Sequence, residues 1–84
     1  MIAELMTAKE ALQLIVENQE CPALNYAVNY AKAGLVMDEN SEVFRVQCLY
    51  VVNNISTWRA KKGDEVMKEK IKAARAAIKR VEAI

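Results

Sequence analysis

The sequence predicts an all-α domain, a compact bundle of three to four antiparallel helices. Apolar residues recur at three- and four-residue spacing along most of the chain. Only three of the 84 residues are Gly or Pro, and the breaks between periodic segments are short and polar. This length has room for one domain, spanning 1–84. The hydrophobic fraction, 54%, offsets ordering entropy and argues against disorder. It also leaves apolar surface that a small monomer struggles to hide, so self-association is expected.

The first helix starts at Thr7-Ala8-Lys9-Glu10, where a hydroxyl and a Glu three residues later can satisfy two orphan amides reciprocally. Ala8, Leu12, Ile15 and Val16 follow at helical spacing, with Ala11 on the flank, and the helix fades near Asn18. Met1–Met6 either extends this helix backwards or forms a separate lead-in. Pro22 disfavours helix before it and suits a first turn, so a second helix is expected from about Pro22 to about Met37. Its apolar stripe is Leu24, Ala27, Val28, Ala31 and Leu35. Ala23, Ala27, Ala31 and Gly34 are small and would let a neighbouring helix approach closely.

Asp38-Glu39-Asn40-Ser41 is a polar linker whose Asn40 or Ser41 can cap a third helix. The run from Val43 to Val52 is rich in β-branched and aromatic residues, which raises the case for a strand. It does not alternate, however, and Phe44, Cys48, Val51, Ile55 and Trp58 keep helical spacing. The helix is therefore expected to continue to Lys61-Lys62-Gly63, where cations complement the dipole and Gly permits a left-handed cap. Asp64 then caps the last helix. Met67, Ile71, Ala74, Ile78 and Val81 form its stripe.

Net charge is +1, but its distribution is uneven. Residues 1–42 carry seven acids and two bases, whereas residues 43–84 carry four acids and ten bases. The two halves can pair between copies or internally, or the basic half can face an anion. Cys21 and Cys48 fit neither a disulfide scaffold nor a metal motif, and both are expected to be reduced and buried. Glu4, Lys9 and Glu10 interrupt any signal-peptide pattern, and no stretch approaches the roughly 18 apolar residues of a membrane span. The expected location is the cytoplasm, with no membrane partner.

Most catalytic templates lack their parts. With no histidine there is no His-based general base and no Ser-His-Asp or Cys-His arrangement. Gly34 and Gly63 do not make a phosphate loop. The close carboxylates Asp38/Glu39 and Asp64/Glu65 sit at expected helix starts, where they cap and complement the dipole. The chain is read as non-enzymatic, with no cofactor, metal or catalytic residues.

Asn53-Asn54-Ile55-Ser56-Thr57-Trp58-Arg59-Ala60-Lys61-Lys62 is the most unusual stretch. Asn, Ser and Thr are indifferent helix formers, and the only tryptophan stands beside a cationic cluster. Such a group can anchor a protein interface or hold a base or phosphate; alternatively, Trp58 is core, as its spacing suggests. Tyr26 and Tyr30, flanked by Asn25 and Asn29, form a comparable polar-aromatic face. Those amides are placed to meet Asn53 and Asn54 if the second and third helices are neighbours. Lys68, Lys72, Arg75 and Lys79 recur along the last helix. Glu65, Glu69 and Glu82 interrupt them at spacings mostly ordinary for a solvated face.

The segments Ala23-Leu24-Asn25-Tyr26-Ala27-Val28-Asn29-Tyr30-Ala31 and Arg45-Val46-Gln47-Cys48-Leu49-Tyr50-Val51-Val52-Asn53-Asn54, with Trp58-Arg59 beyond, resemble small uncharacterised helical proteins of phage and prophage genomes. The resemblance covers the middle of the chain. It implies a small accessory or host-interaction role, and it carries no activity or site residue.

The expected function is a small non-enzymatic protein–protein interaction module acting as an oligomer, in the role of a phage accessory or host-factor inhibitor. Tyr26, Tyr30, Trp58 and Arg59 are the expected anchors, with Lys61 and Lys62 steering an acidic partner. The alternative is nucleic-acid or nucleotide binding through the basic C-terminal half.

Overall fold

The computed structural model describes residues 6–82. The expectation for the start of the chain falls on residues 1–5, outside the described residues; Met6 itself is half-buried and non-helical. Four α-helices form among the described residues: α1 (Ala8–Glu17), α2 (Ala27–Leu35), α3 (Glu42–Asn53) and α4 (Glu65–Glu82). The helices close a ring, in which α1 and α3 each pack against both α2 and α4. The bundle is flat, 38 × 35 × 19 Å. No helix among the described residues is long and apolar enough to cross a membrane.

The capping box at α1 forms as the sequence predicts. Glu10 N–H donates to Thr7 Oγ1 at 3.1 Å, and Thr7 N–H donates to Glu10 Oε1 at 2.8 Å. Ala8, Ala11, Leu12 and Ile15 are buried. Opposite them, α2 buries Ala27, Val28, Ala31 and Gly34. Gly34 sets the spacing of this seam, because a Cβ there would stand 2.7 Å from Leu12 Cδ1.

The second helix is shorter than the sequence suggests. Pro22–Leu24 makes a 3-10 turn, with Leu24 N–H on Cys21 O at 2.9 Å and Asn25 N–H on Pro22 O at 3.2 Å. The regular ladder begins only at Ala27. This tight turn buries Leu24 while leaving Asn25 and Tyr26 outside. At the other end, Lys9 crosses from α1 to cap α2, its Nζ donating to Leu35 O at 2.7 Å and Met37 O at 2.5 Å. A cation at the negative end of the helix dipole is favourable. The same ammonium stands 5.4 Å from the centre of the Phe44 ring, which ties the cap to α3.

Ser41, one of the two expected caps, accepts Phe44 N–H at 3.1 Å. Phe44, Gln47, Cys48 and Val51 form the buried face of α3. The helix then stops at Asn53, well before the expected Gly63, which corrects the sequence reading. Asn54 caps it, and its Nδ2 donates to Tyr50 O at 2.8 Å. Side chains of this type compete with the helical ladder, and Asn53 to Thr57 contains four such residues. The burial register nevertheless persists: Ile55 and Trp58 both reach the core from the non-helical segment 54–64. A turn supplies what helix was expected to supply, with Trp58 N–H on Ile55 O at 3.0 Å.

Gly63 has φ +92, a left-handed conformation, but it serves the turn into α4 rather than ending α3. Asp64 caps α4 as predicted, with Met67 N–H on its Oδ1 at 3.0 Å. Ile71, Ala74, Ala77 and Ile78 face the core. Of the two free cysteines, Cys48 is buried as expected; Cys21, which leads into the 3-10 turn, is only half-buried, packed against the core. Burial pushes the Cys48 thiol up to about 11.

Candidate functional site

The six residues expected to bind a partner do not form one site. Trp58 is 2% exposed and belongs to the core, so it is not available as an anchor. Arg59 is exposed, but it folds back on the chain. Its Nη1 donates to Ser56 O at 2.8 Å and to Trp58 O at 2.9 Å. Lys61 and Lys62 are exposed in the turn before Gly63. Tyr26 and Tyr30 belong to a different surface, at the start of α2.

That second surface is apolar and aromatic. Tyr26 is 77% exposed, and Tyr30 packs its ring against Tyr50 of α3, centroids 5.6 Å apart and planes tilted by 32°. Val43, Val46 and Tyr50 stand three and four residues apart, on one outward stripe of α3, and Leu49 flanks them. All four are exposed. The core face of α3 is already filled by Phe44, Gln47, Cys48 and Val51. This helix is therefore apolar on two faces, which is unusual for one that borders solvent.

The tyrosines of α2 are among the expected anchors; their α3 partners, Val43, Val46, Leu49 and Tyr50, are not. A signal existed: a second apolar stripe at 43, 46 and 50 lies beside the core stripe at 44, 48 and 51. The amides also settle differently from expectation. Asn25, Asn29 and Asn53 are exposed, and the amide that joins α2 to α3 is Gln47. Its Nε2 donates to Tyr30 O at 2.7 Å, directly beneath the tyrosine pair. The polar neighbours of this face, Asn25, Asn29 and Asn53, are uncharged. The nearby Arg45 and Glu42 bridge at 2.8 Å.

A contrasting surface lies where segment 54–64 meets α4. Arg75 reaches from α4 to the loop, and its Nη2 donates to Trp58 O at 2.6 Å, Ile55 O at 2.8 Å and Ser56 O at 3.4 Å. Arg75 and Arg59 thus share two carbonyl acceptors. Burial lowers the Arg75 pKa, and the positive charge of Arg59 lowers it further. Beside them opens a cleft of about 470 Å³, lined by Trp58, Ala60 and Ile71 and by Arg59, Lys68, Lys72, Arg75 and Glu69. The expected Glu–Lys pairing along α4 does not neutralise it. Among the described residues, none of the four cations lies within ion-pair distance of a carboxylate.

Among the described residues, no group of three metal-ligating side chains converges. No protein-family model matches the sequence, and comparison with curated proteins and with solved structures finds no significant match.

Proposed function

We propose that this chain is a non-enzymatic protein–protein interaction module that acts as an oligomer, with two copies pairing through the tyrosine-centred face of α2 and α3. The observation that carries this reading is the continuous exposed row Val43, Val46, Tyr50, Tyr30 and Tyr26 on a helix pair whose core face is already satisfied. Burying such side chains contributes about 25 cal/mol per Å² of apolar surface, and aromatic residues dominate the energetics of most interfaces. The occupant is a second copy because the face is near neutral. An isologous contact sets the same patch against itself, so a face carrying net charge of one sign would repel its copy. An uncharged apolar face pairs without that cost. The accessory role implied by the resemblance of the middle segments fits a small module of this kind.

The roles expected of Trp58 and Arg59 pass to Tyr50 and Val46. Light scattering of Val46→Lys and Tyr50→Lys after size exclusion, against the wild type, tests the reading. It predicts a concentration-dependent dimer for the wild type and a monomer for each variant, with unchanged circular dichroism. A wild type that stays monomeric at high concentration, or variants that associate equally well, would contradict it.

A further inference from the structure

The cleft between segment 54–64 and α4 has no part in the pairing just described. We infer that it is a binding site for a phosphorylated organic molecule of nucleotide size, with Lys68 and Lys72 holding the phosphate and the half-buried Ala60, beside the alkyl stems of the lysines, receiving the organic part. Four cations surround the opening against one carboxylate, Glu69. Among the described residues none of the four is ion-paired, although α4 carries carboxylates at suitable spacing.

Two further features favour a bound anion. Arg59 and Arg75 converge on the carbonyls of Ser56 and Trp58, so two guanidinium groups lie within two hydrogen-bond lengths of each other. Each uses a single nitrogen in the bonds that hold it, and a guanidinium has five N–H donors. An anion seated between the arginines and the lysines offsets their repulsion and takes the remaining donors. The volume, about 470 Å³, lies in the range of small-molecule sites, and the apolar lining selects an organic phosphate over a bare ion.

The single tryptophan lines this cleft, so its fluorescence reports occupancy of the full-length protein. Three probes are titrated at constant ionic strength: inorganic phosphate, ADP and a short single-stranded oligonucleotide. Saturable change with ADP, stronger than with phosphate, supports the site and assigns a free nucleotide-like ligand. Saturable change with the oligonucleotide, and weaker change with ADP, supports the same phosphate chemistry and assigns a nucleic-acid source.

In either case Lys68→Ala/Lys72→Ala is expected to weaken binding on the order of tenfold or more, as loss of charge-assisted bonds does. Added salt should weaken it further. Glu69→Gln should tighten binding a few-fold by removing the one acid at the rim, a gain that a folding defect cannot imitate. Lys32→Ala, an exposed cation on α2, is the charge control and should bind as the wild type does. No saturable response to any probe overturns the proposal. So does a response unaltered by Lys68→Ala/Lys72→Ala, or one lowered equally by Lys32→Ala.

Discussion

Tyr50 and Trp58 stand eight residues apart and take opposite places in the bundle. Trp58 leaves the helical path and is 2% exposed; Tyr50 stays on regular helix and is 47% exposed. Residue type alone would rank the tryptophan as the better interface anchor. The structure reverses that ranking, because the loop that carries Trp58 turns it inward and is held there by Arg75. An aromatic side chain can anchor a partner only if the monomer has not already used it. On this bundle the unused aromatics are the tyrosines of α2 and α3.

The contrast is sharpest when the two residues are removed in turn. Trp58→Ala should cost about 3–5 kcal/mol, the range for truncating a fully packed aromatic. In a chain this small, urea denaturation should show a largely unfolded protein. If the fold survives with a loss under about 1 kcal/mol, Trp58 is not the keystone of the loop. Arg75→Leu tests the clamp rather than the ring. Losing charged bonds to Ile55 and Trp58 carbonyls should cost about 1.5–3 kcal/mol and expose the indole, seen as a red-shifted emission. An unshifted spectrum with full stability would mean that the loop holds itself.

Gly34→Ala probes the seam behind the tyrosine face. A buried Leu12 has little room to yield to a Cβ at 2.7 Å, so overpacking of about 1–3 kcal/mol should exceed the helix-propensity gain of about 1 kcal/mol. A net loss near 1 kcal/mol in thermal unfolding is expected, and stabilisation would show that the seam can open. Cys48 adds a pH signature. Its folded pKa, about 11, lies above the ordinary 9.0, so the unfolded chain releases this proton first as pH rises. This contribution to stability is complete below pH 9.0 and declines from there to about 11. Cys48→Ala should flatten that decline in denaturant midpoints, and an unchanged slope would remove the thiol as its cause. Tyr50→Ala should shift monomer stability by no more than about 0.5–1 kcal/mol, the smallest effect of the series. A much larger loss would mark the Tyr30–Tyr50 pair as structural.

Helix starts with a side-chain cap are the most legible features, since each depends on a few adjacent residues; α2, which has no such cap, starts at Ala27 rather than near Pro22. Thr7 with Glu10, Ser41 and Asp64 all cap where the sequence places them. The buried register of Phe44, Cys48, Val51, Ile55 and Trp58 was legible too, but the conformation carrying its last two members was not. A turn and a helix can bury the same positions, so spacing alone could not locate the end at Asn53. The poor helix propensity of Asn53 to Thr57 was the better guide. Lys9 shows the other limit: its carbonyl partners lie 26 and 28 residues away, and no local pattern announces such a cap. The candidate face required knowing which side of α3 the core had taken.

The most direct test of that face is sedimentation equilibrium of the wild-type chain over a wide concentration range, in low salt and in about 1 M salt, where screening acts within roughly 3 Å. Pairing through the α2–α3 face predicts a dimer whose dissociation constant is unchanged or tighter in high salt, because apolar burial drives it. A monomer throughout would contradict the account. Dissociation by salt would contradict it equally, assigning assembly instead to the acidic first half and the basic second half of neighbouring copies.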